Sequence, residues 1–401
     1  MPNQFLSPEG DLENYFVSEY FLIDQWVGDT LWTWGRNYGS LGNGVTTGSI
    51  STPITTFAGG ANWKQVSSGA FTGAAAAIKT DGTLWTWGSG SSGGLGNGVT
   101  TGSISTPITT FAGGTNWRQV SSPPSNTYMA AIKTDGTLWT WGFGFFGLLG
   151  NNVSGDRSTP ITTFAGGTNW KQVACGGEGS AAVKTDGTLW TWGKPSNGLL
   201  GNGRTAFSPQ AMTPITTFAG GTNWKQVSCG SSHMAAVKTD GTLWVWGAAG
   251  YGKLGNGVTT GTISTPVTTF AGGTNWKQVD CRSSIHMAAI KTDGTLWTWG
   301  NGTNGCLGNA VITGNISTPV TTFAGGTNWK QVAGGSVCTL AIKTDGTLWT
   351  WGYGGNGRLG NAVTAGNIST PVTTFAGGTN WKQVSGGNAL TAALTYIDPV
   401  L

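Results

Sequence analysis

The chain has 401 residues, a net charge of +4, only 9% charged residues and 70 glycines, yet it carries 22 tryptophans and 15 phenylalanines. So much apolar surface available for burial excludes a disordered low-complexity chain and predicts a folded one. No run approaches the ~18 apolar residues of a membrane span, and the opening MPNQFLSPEGDLEN lacks the basic and apolar regions of a signal peptide, so neither membrane insertion nor general export is expected.

Residues 1–29 form an acidic head. Glu9, Asp11, Glu13, Glu19, Asp24 and Asp29 stand there without a lysine or arginine, which leaves −6 on the head and +10 on the remainder. Leu12, Phe16, Tyr20 and Ile23 fit a helical stripe, while Tyr15, Val17, Glu19, Phe21 and Ile23 alternate as in a strand; the segment is too short to decide between them. The head reads either as a cap on the following domain or as an anchor to a larger assembly through Tyr15, Phe16, Tyr20, Phe21 and Trp26.

From residue 30 onward the chain is a tandem repeat. LWTWG occurs at Leu31, Leu84, Leu138, Leu189, Leu243 (as LWVWG), Leu296 and Leu348, at spacings of 51 to 54 residues. Two tryptophans per LWTWG and one per NW(K/R)QV leave only Trp26 outside the repeat, so the indoles read as structural rather than as a unique stacking site. In the second unit the Asp-Gly of Thr80 to Thr83 predicts a type I′ hairpin between AAAAIK and TLWTW. PITTF and NWRQVSS add two strands, making the four of a propeller blade.

TDGT occurs six times against seven LWTWG motifs. The tail NALTAALTYID aligns with SVCTLAIKTDG, and the head resumes at Thr30 with TLWTWG. The expected fold is therefore all-β: a closed seven-bladed β-propeller over residues 30–401, its first blade closed by pairing the N- and C-terminal strands so that no sheet edge is left open.

WG followed by GxLGNG, then STP, a KQV strand and Cys229-Gly230-x-x-His233 resembles the regulator of chromosome condensation repeat across residues 30 to 398. The resemblance implies the same seven-bladed fold. Its functions range over guanine nucleotide exchange on a small GTPase with chromatin binding, ultraviolet sensing, and β-lactamase inhibition. The spacings leave no room for the protruding insertion that exchange relies on, and no GWRHT motif of the ultraviolet sensor appears. The opening MPNQFLSPEGDLENYF with near-identical STPVTTFAGGTNWKQV units is also similar to propeller proteins of marine bacteriophages. That narrower resemblance implies a non-enzymatic virion component in tail, fibre or capsid, bound to other virion proteins through the head and presenting loops to a host polysaccharide, a host protein or neighbouring subunits. The alternative is a cytoplasmic partner-binding propeller of the exchange-factor or protein-inhibitor type.

GxGxxG starts at Gly88, Gly142, Gly300 and Gly352 but precedes a strand instead of a helix, so nucleotide binding is not expected, nor is nucleic acid. His233 and His286 lie in corresponding loops of adjacent blades, near Cys229 and Cys281. Without further ligands or a matching acid they read as hydrogen-bonded histidines, and no catalytic residue, cofactor or metal is assigned. Cys175, Cys229 and Cys281 share one repeat position; with Cys306 and Cys338 they read as small buried hydrophobes, not a disulfide framework. The lysines of KTDG and the NW(K/R) series Lys64, Arg118, Lys171, Lys225, Lys277, Lys330 and Lys382 predict a solvated basic rim partly balanced by the hairpin aspartates. An anionic phosphate or polysaccharide surface is the competing reading of those positions. Variation concentrates in the loops after WG and KQV, where Tyr38, Phe143, Phe145, Phe146, Tyr251 and Tyr353 make an aromatic recognition face.

Overall fold

A computed structural model describes residues 29–58, 61–69, 73–206 and 210–396. The anchor residues Tyr15, Phe16, Tyr20, Phe21 and Trp26 lie outside the described residues. Seven four-stranded antiparallel sheets are arranged as blades of a ring, as expected from the repeat. The second unit shows how sequence becomes blade. Strand β3 (Trp63–Ser68) is innermost, followed outward by β4 (Ala74–Lys79), β5 (Leu84–Ser89) and β6 (Ser103–Thr109). Small residues fill β4 because both of its faces are covered: Ala75, Ala76 and Ala77 are fully buried between adjoining blades. The seventh blade joins β1 (Thr30–Arg36) and β2 (Ser49–Thr55) to the C-terminal strands Trp381–Gly386 and Leu390–Thr395. Thr30 to Gly35 pair in continuous register with Thr395 to Leu390.

The hairpin between β4 and β5 differs from the expected type I′ turn. Gly82 has a positive φ of 80°, whereas Asp81 does not. The Gly82 amide donates to the Lys79 carbonyl (2.9 Å) and the Lys79 amide to the Thr83 carbonyl (3.0 Å). This is a three-residue loop with one left-handed glycine, the next commonest hairpin closure. Glycine is needed for a second reason, since a Cβ there would stand 2.0 Å from the Thr115 carbonyl oxygen. Asp81 is explained by the same turn: its Oδ1 accepts from the Thr83 amide (2.9 Å) and hydroxyl (2.7 Å), and the Thr83 hydroxyl accepts from the Trp85 indole (2.8 Å). At the seam the turn is divided between the chain ends. The Asp29 carbonyl accepts from the Trp63 amide as the Gly82 carbonyl accepts from Trp117, and the Tyr396 amide donates to Asn380 as Thr80 donates to Asn62. Asp29 thus docks on the ring, where its buried carboxylate pairs with the Lys382 ammonium.

Two seven-fold interactions join blade to blade. The second tryptophan of each LWTWG is buried and donates its indole N–H to a loop carbonyl of the preceding blade, from Trp34 to Arg358 (2.9 Å) around to Trp351 to Cys306 (2.9 Å). On the inner edge, the glutamine of each KQV pairs with the main chain of the valine in the next blade. Gln278, for example, donates to the Val332 carbonyl (3.0 Å) and accepts from the Val332 amide (3.1 Å). Gln65, Gln119, Gln172, Gln226, Gln331 and Gln383 repeat the pattern, Gln383 closing on Val66. The side-chain amide thereby extends each innermost strand by one peptide-like pair, satisfying an edge that would otherwise face the channel unpaired. Gln278→Leu is expected to cost about 2 kcal/mol, because it leaves a buried valine N–H and C=O without partners; a shift of the urea midpoint no larger than that of an exposed-loop control would contradict the role assigned to the clamp.

Candidate functional site

The strand registers define two faces of the ring. Trp63, Lys79, Trp85 and Thr109 share one end of their blade, and Ser68, Ala75, Gly88 and Ser103 the other. The turn face carries the TDGT hairpins and the TTFAGG connections between blades. The loop face receives the segments after KQV and the start of those after WG.

The aromatic residues picked out from sequence emerge at the loop face but do not form one cluster. Phe143, Phe145 and Phe146 pack together on the blade after Trp117, with Phe143 5.3 Å from Phe145 and 6.2 Å from Phe146. Phe145 is exposed, while Phe143 and Phe146 are half-buried, the latter beneath the Lys194 ammonium. Tyr38, Tyr251 and Tyr353 stand on three other blades; Arg36 covers Tyr38 at 4.5 Å and Arg358 covers Tyr353 at 5.0 Å. The GxGxxG segments run into three-residue 3-10 turns and then strands, as at Ser91–Gly93, with no helix to cradle a phosphate.

The histidines sit at the starts of their strands and are fully buried. His286 meets the sequence expectation: Nδ1 is 2.7 Å from the Ser283 hydroxyl and Nε2 2.8 Å from that of Thr339. His233 does not, since neither ring nitrogen has a hydrogen-bond partner among the described residues. The position that Thr339 fills for His286 is Met287 for His233, which explains the orphaned Nε2. Burial holds the His286 pKa down to about 3 and that of His233 well below the usual range, the nearby Lys253 adding to the latter. All five cysteines are buried free thiols, as expected, and no group of three metal-ligating side chains occurs among the described residues.

One asymmetric feature of the channel was not singled out from sequence. The cavity of about 130 Å³ inside the glutamine ring is also lined by Asp280 and Arg282. Arg282 reaches across to the Ser385 (2.7 Å) and Ser67 (3.1 Å) hydroxyls of other blades. Its sequence signal was the pair of charges in DCRSS, in a position that is neutral in the other units.

The turn face corrects two expectations. The phenylalanines counted towards the core include one per repeat that is not in it: Phe57, Phe111, Phe164, Phe218, Phe270, Phe323 and Phe375 are 65–76% exposed. The KTDG lysines are not simply solvated either. Lys79, Lys133, Lys184, Lys238, Lys291 and Lys343 each place the ammonium 4.4–5.0 Å from the centroids of two indoles, the NW tryptophan and the first tryptophan of LWTWG. Six cation–π clamps thus brace the face that carries the phenylalanines.

The contrast between the two histidines is testable by stability. In the unfolded chain a histidine takes up a proton below ~6.5. The folded chain resists protonation of His286 down to about 3, so stability present above the unfolded pKa is lost as pH falls from there towards 3. His233→Met should leave the urea midpoint at pH 7 unchanged or raise it, and should reduce its fall between pH 7 and 5. His286→Met should lower the midpoint at pH 7, since it removes two buried side-chain hydrogen bonds, to Ser283 and Thr339. Equal destabilisation by both would contradict the assignment.

Comparison with known proteins agrees with this architecture. The regulator of chromosome condensation (RCC1) repeat matches residues 135–183, 186–237, 293–342 and 345–394, and a second form of the same repeat matches 170–199 and 224–253. The ultraviolet-B receptor UVR8 of Arabidopsis thaliana is 31% identical over 77% of this chain and 70% of its own length. The E3 ubiquitin-protein ligase HERC2 of Homo sapiens is 29% identical over 80% of this chain, which spans only 7% of that protein. Among solved structures, Prp20p of Saccharomyces cerevisiae, studied for its binding to Gsp1p and histones, superposes with a TM-score of 0.77 at 16% identity, covering 93% of this chain and 94% of that one. Human WBSCR16 gives 0.76 at 19% identity, covering 92% and 99%. By its repeats, its seven closed blades and these relatives, the chain belongs to the regulator of chromosome condensation repeat family.

Proposed function

We propose that this propeller is a non-catalytic recognition module that docks a protein partner across its turn face. The observation that carries this reading is the ring of seven phenylalanines, each more exposed than any other described large aromatic side chain, on a scaffold whose LWTWG and NW tryptophans pack within and between blades. Exposed aromatic side chains on a rigid scaffold supply contact area at little entropic cost. Because the lysine–tryptophan clamps brace the same face, such a surface is preorganised for binding. Binding proteins among the relatives support the class of function: Prp20p binds Gsp1p and histones. The exchange-factor and inhibitor types expected from the family both fall within it.

The loop face is the second reading, favoured by the packed cluster of Phe143, Phe145 and Phe146. The virion role rests on residues 1–28 and on the near-identity of the units; none of the relatives named above speaks for it, and they favour the partner-binding alternative. Two surface variants separate the faces. Phe218→Ser, Phe270→Ser and Phe323→Ser together should abolish capture of a partner retained by the unaltered ring, without lowering the melting temperature. Phe145→Ser with Tyr251→Ser should leave capture intact. The reverse pattern would move the binding site to the loop face.

A further inference from the structure

The lysine–tryptophan clamp occurs in six blades, but the pair of indoles occurs in seven. In the seam blade the NW tryptophan is Trp381 and the first LWTWG tryptophan is Trp32. Their centroids are 6.2 Å apart at an interplanar angle of 62°, close to the 6.0–6.2 Å and 72–75° of the six occupied pairs. The residue opposite Trp381 in the register is Thr395, where the other blades have lysine. Thr395 is too short to carry a charge between the rings. Its hydroxyl instead accepts the Trp32 indole N–H (3.0 Å) and so holds that ring in place. Trp32 is half-buried, as its counterparts are beside their lysines, whereas Trp381 is buried, so the accessible flank of the pair is that of Trp32.

No described cation fills the gap. Lys382 and Lys330 face the Tyr396 ring instead, at 5.2 and 6.0 Å, and Lys382 is paired with Asp29. Residues 1–28 and 397–401 contain no lysine or arginine. The same protein therefore shows six times which group this indole pair accepts, and once leaves the pair without it.

We propose that Trp32 and Trp381 form a receptor for a lysine side chain of a bound protein. A primary ammonium on a four-carbon stem is the group held in all six filled clamps, and attraction to the indole faces is electrostatic, so a neutral side chain of similar length is a poor substitute. The seam pair lies on the turn face, at the Thr55 end of β2, two residues from Phe57. The inference rests on the partner-binding reading for the source of the lysine, but the receptor itself can be tested without any partner.

The test follows the indole N–H resonances of the full chain while Nα-acetyl-lysine methylamide is added, with its Nε-acetylated neutral counterpart as control. For the lysine compound, Trp32 and Trp381 should shift several times more than the median of the remaining indoles, and the control should not reproduce this. Thr395→Lys should abolish the selective shift and raise the melting temperature, because the clamp is then filled from within the chain. Lys238→Thr should create a second receptor, transferring the same response to Trp224 and Trp244. Absence of a selective shift in both the unaltered chain and Lys238→Thr would overturn the proposal. So would an equal response to the neutral compound, or a response unchanged by Thr395→Lys. If the receptor responds but the turn-face phenylalanines prove dispensable for partner capture, the site stands and the docking reading falls.

Discussion

Every other feature of this molecule depends on satisfying the inner edge of each blade. A four-stranded sheet pointed at a channel leaves one strand with unpaired N–H and C=O groups, and seven such edges converge here. The glutamine of KQV resolves this by presenting an amide to the neighbouring valine, donating and accepting at once. Each bond contributes only about 1 kcal/mol net, but the last clamp, Gln383 to Val66, closes on the first blade. The array therefore has no terminal repeat to fray, unlike an open solenoid, whose end units need capping.

Closure also explains the division of labour between residues that repeat and residues that do not. The tryptophan indoles bridging to the preceding blade and the alanines of the second strand are confined by packing on both sides. Freedom is left at the two ends of the strands. The loop end varies in sequence from blade to blade, whereas the turn end is nearly constant and displays the same phenylalanine seven times. A constant surface suits a partner that contacts several blades at once. One break in its pattern, Thr395 in place of lysine, falls where the chain ends meet.

Much of the fold was legible in the sequence because repetition converts weak local signals into a count. Seven LWTWG motifs against six TDGT hairpins located the seam, and Thr30 does pair with Thr395. What escaped was decided by neighbours that sequence does not place side by side. The hairpin type turned on Asp81, whose carboxylate binds the Thr83 amide and hydroxyl and keeps its backbone right-handed. The seven phenylalanines counted towards the surface to be buried, yet each lies beyond the last paired residue of its strand. The KTDG lysines read as solvated because their tryptophan partners lie on other strands of the blade. His233 and His286 look equivalent along the chain and differ because His286 meets the Thr339 hydroxyl, where the equivalent position for His233 is Met287. The anchor residues of the head lie outside the described residues, and the loop-face tyrosines stand on separate blades.

Amide hydrogen exchange on the seam blade tests the closed ring most directly. The account predicts that the amides paired between Thr30–Arg36 and Leu390–Thr395 exchange as slowly as their counterparts in Ala74–Lys79 and Leu84–Ser89, opening only with global unfolding. Fast exchange confined to the seam, at rates typical of fraying chain ends, would mean that the ring is not locked there and would contradict the account.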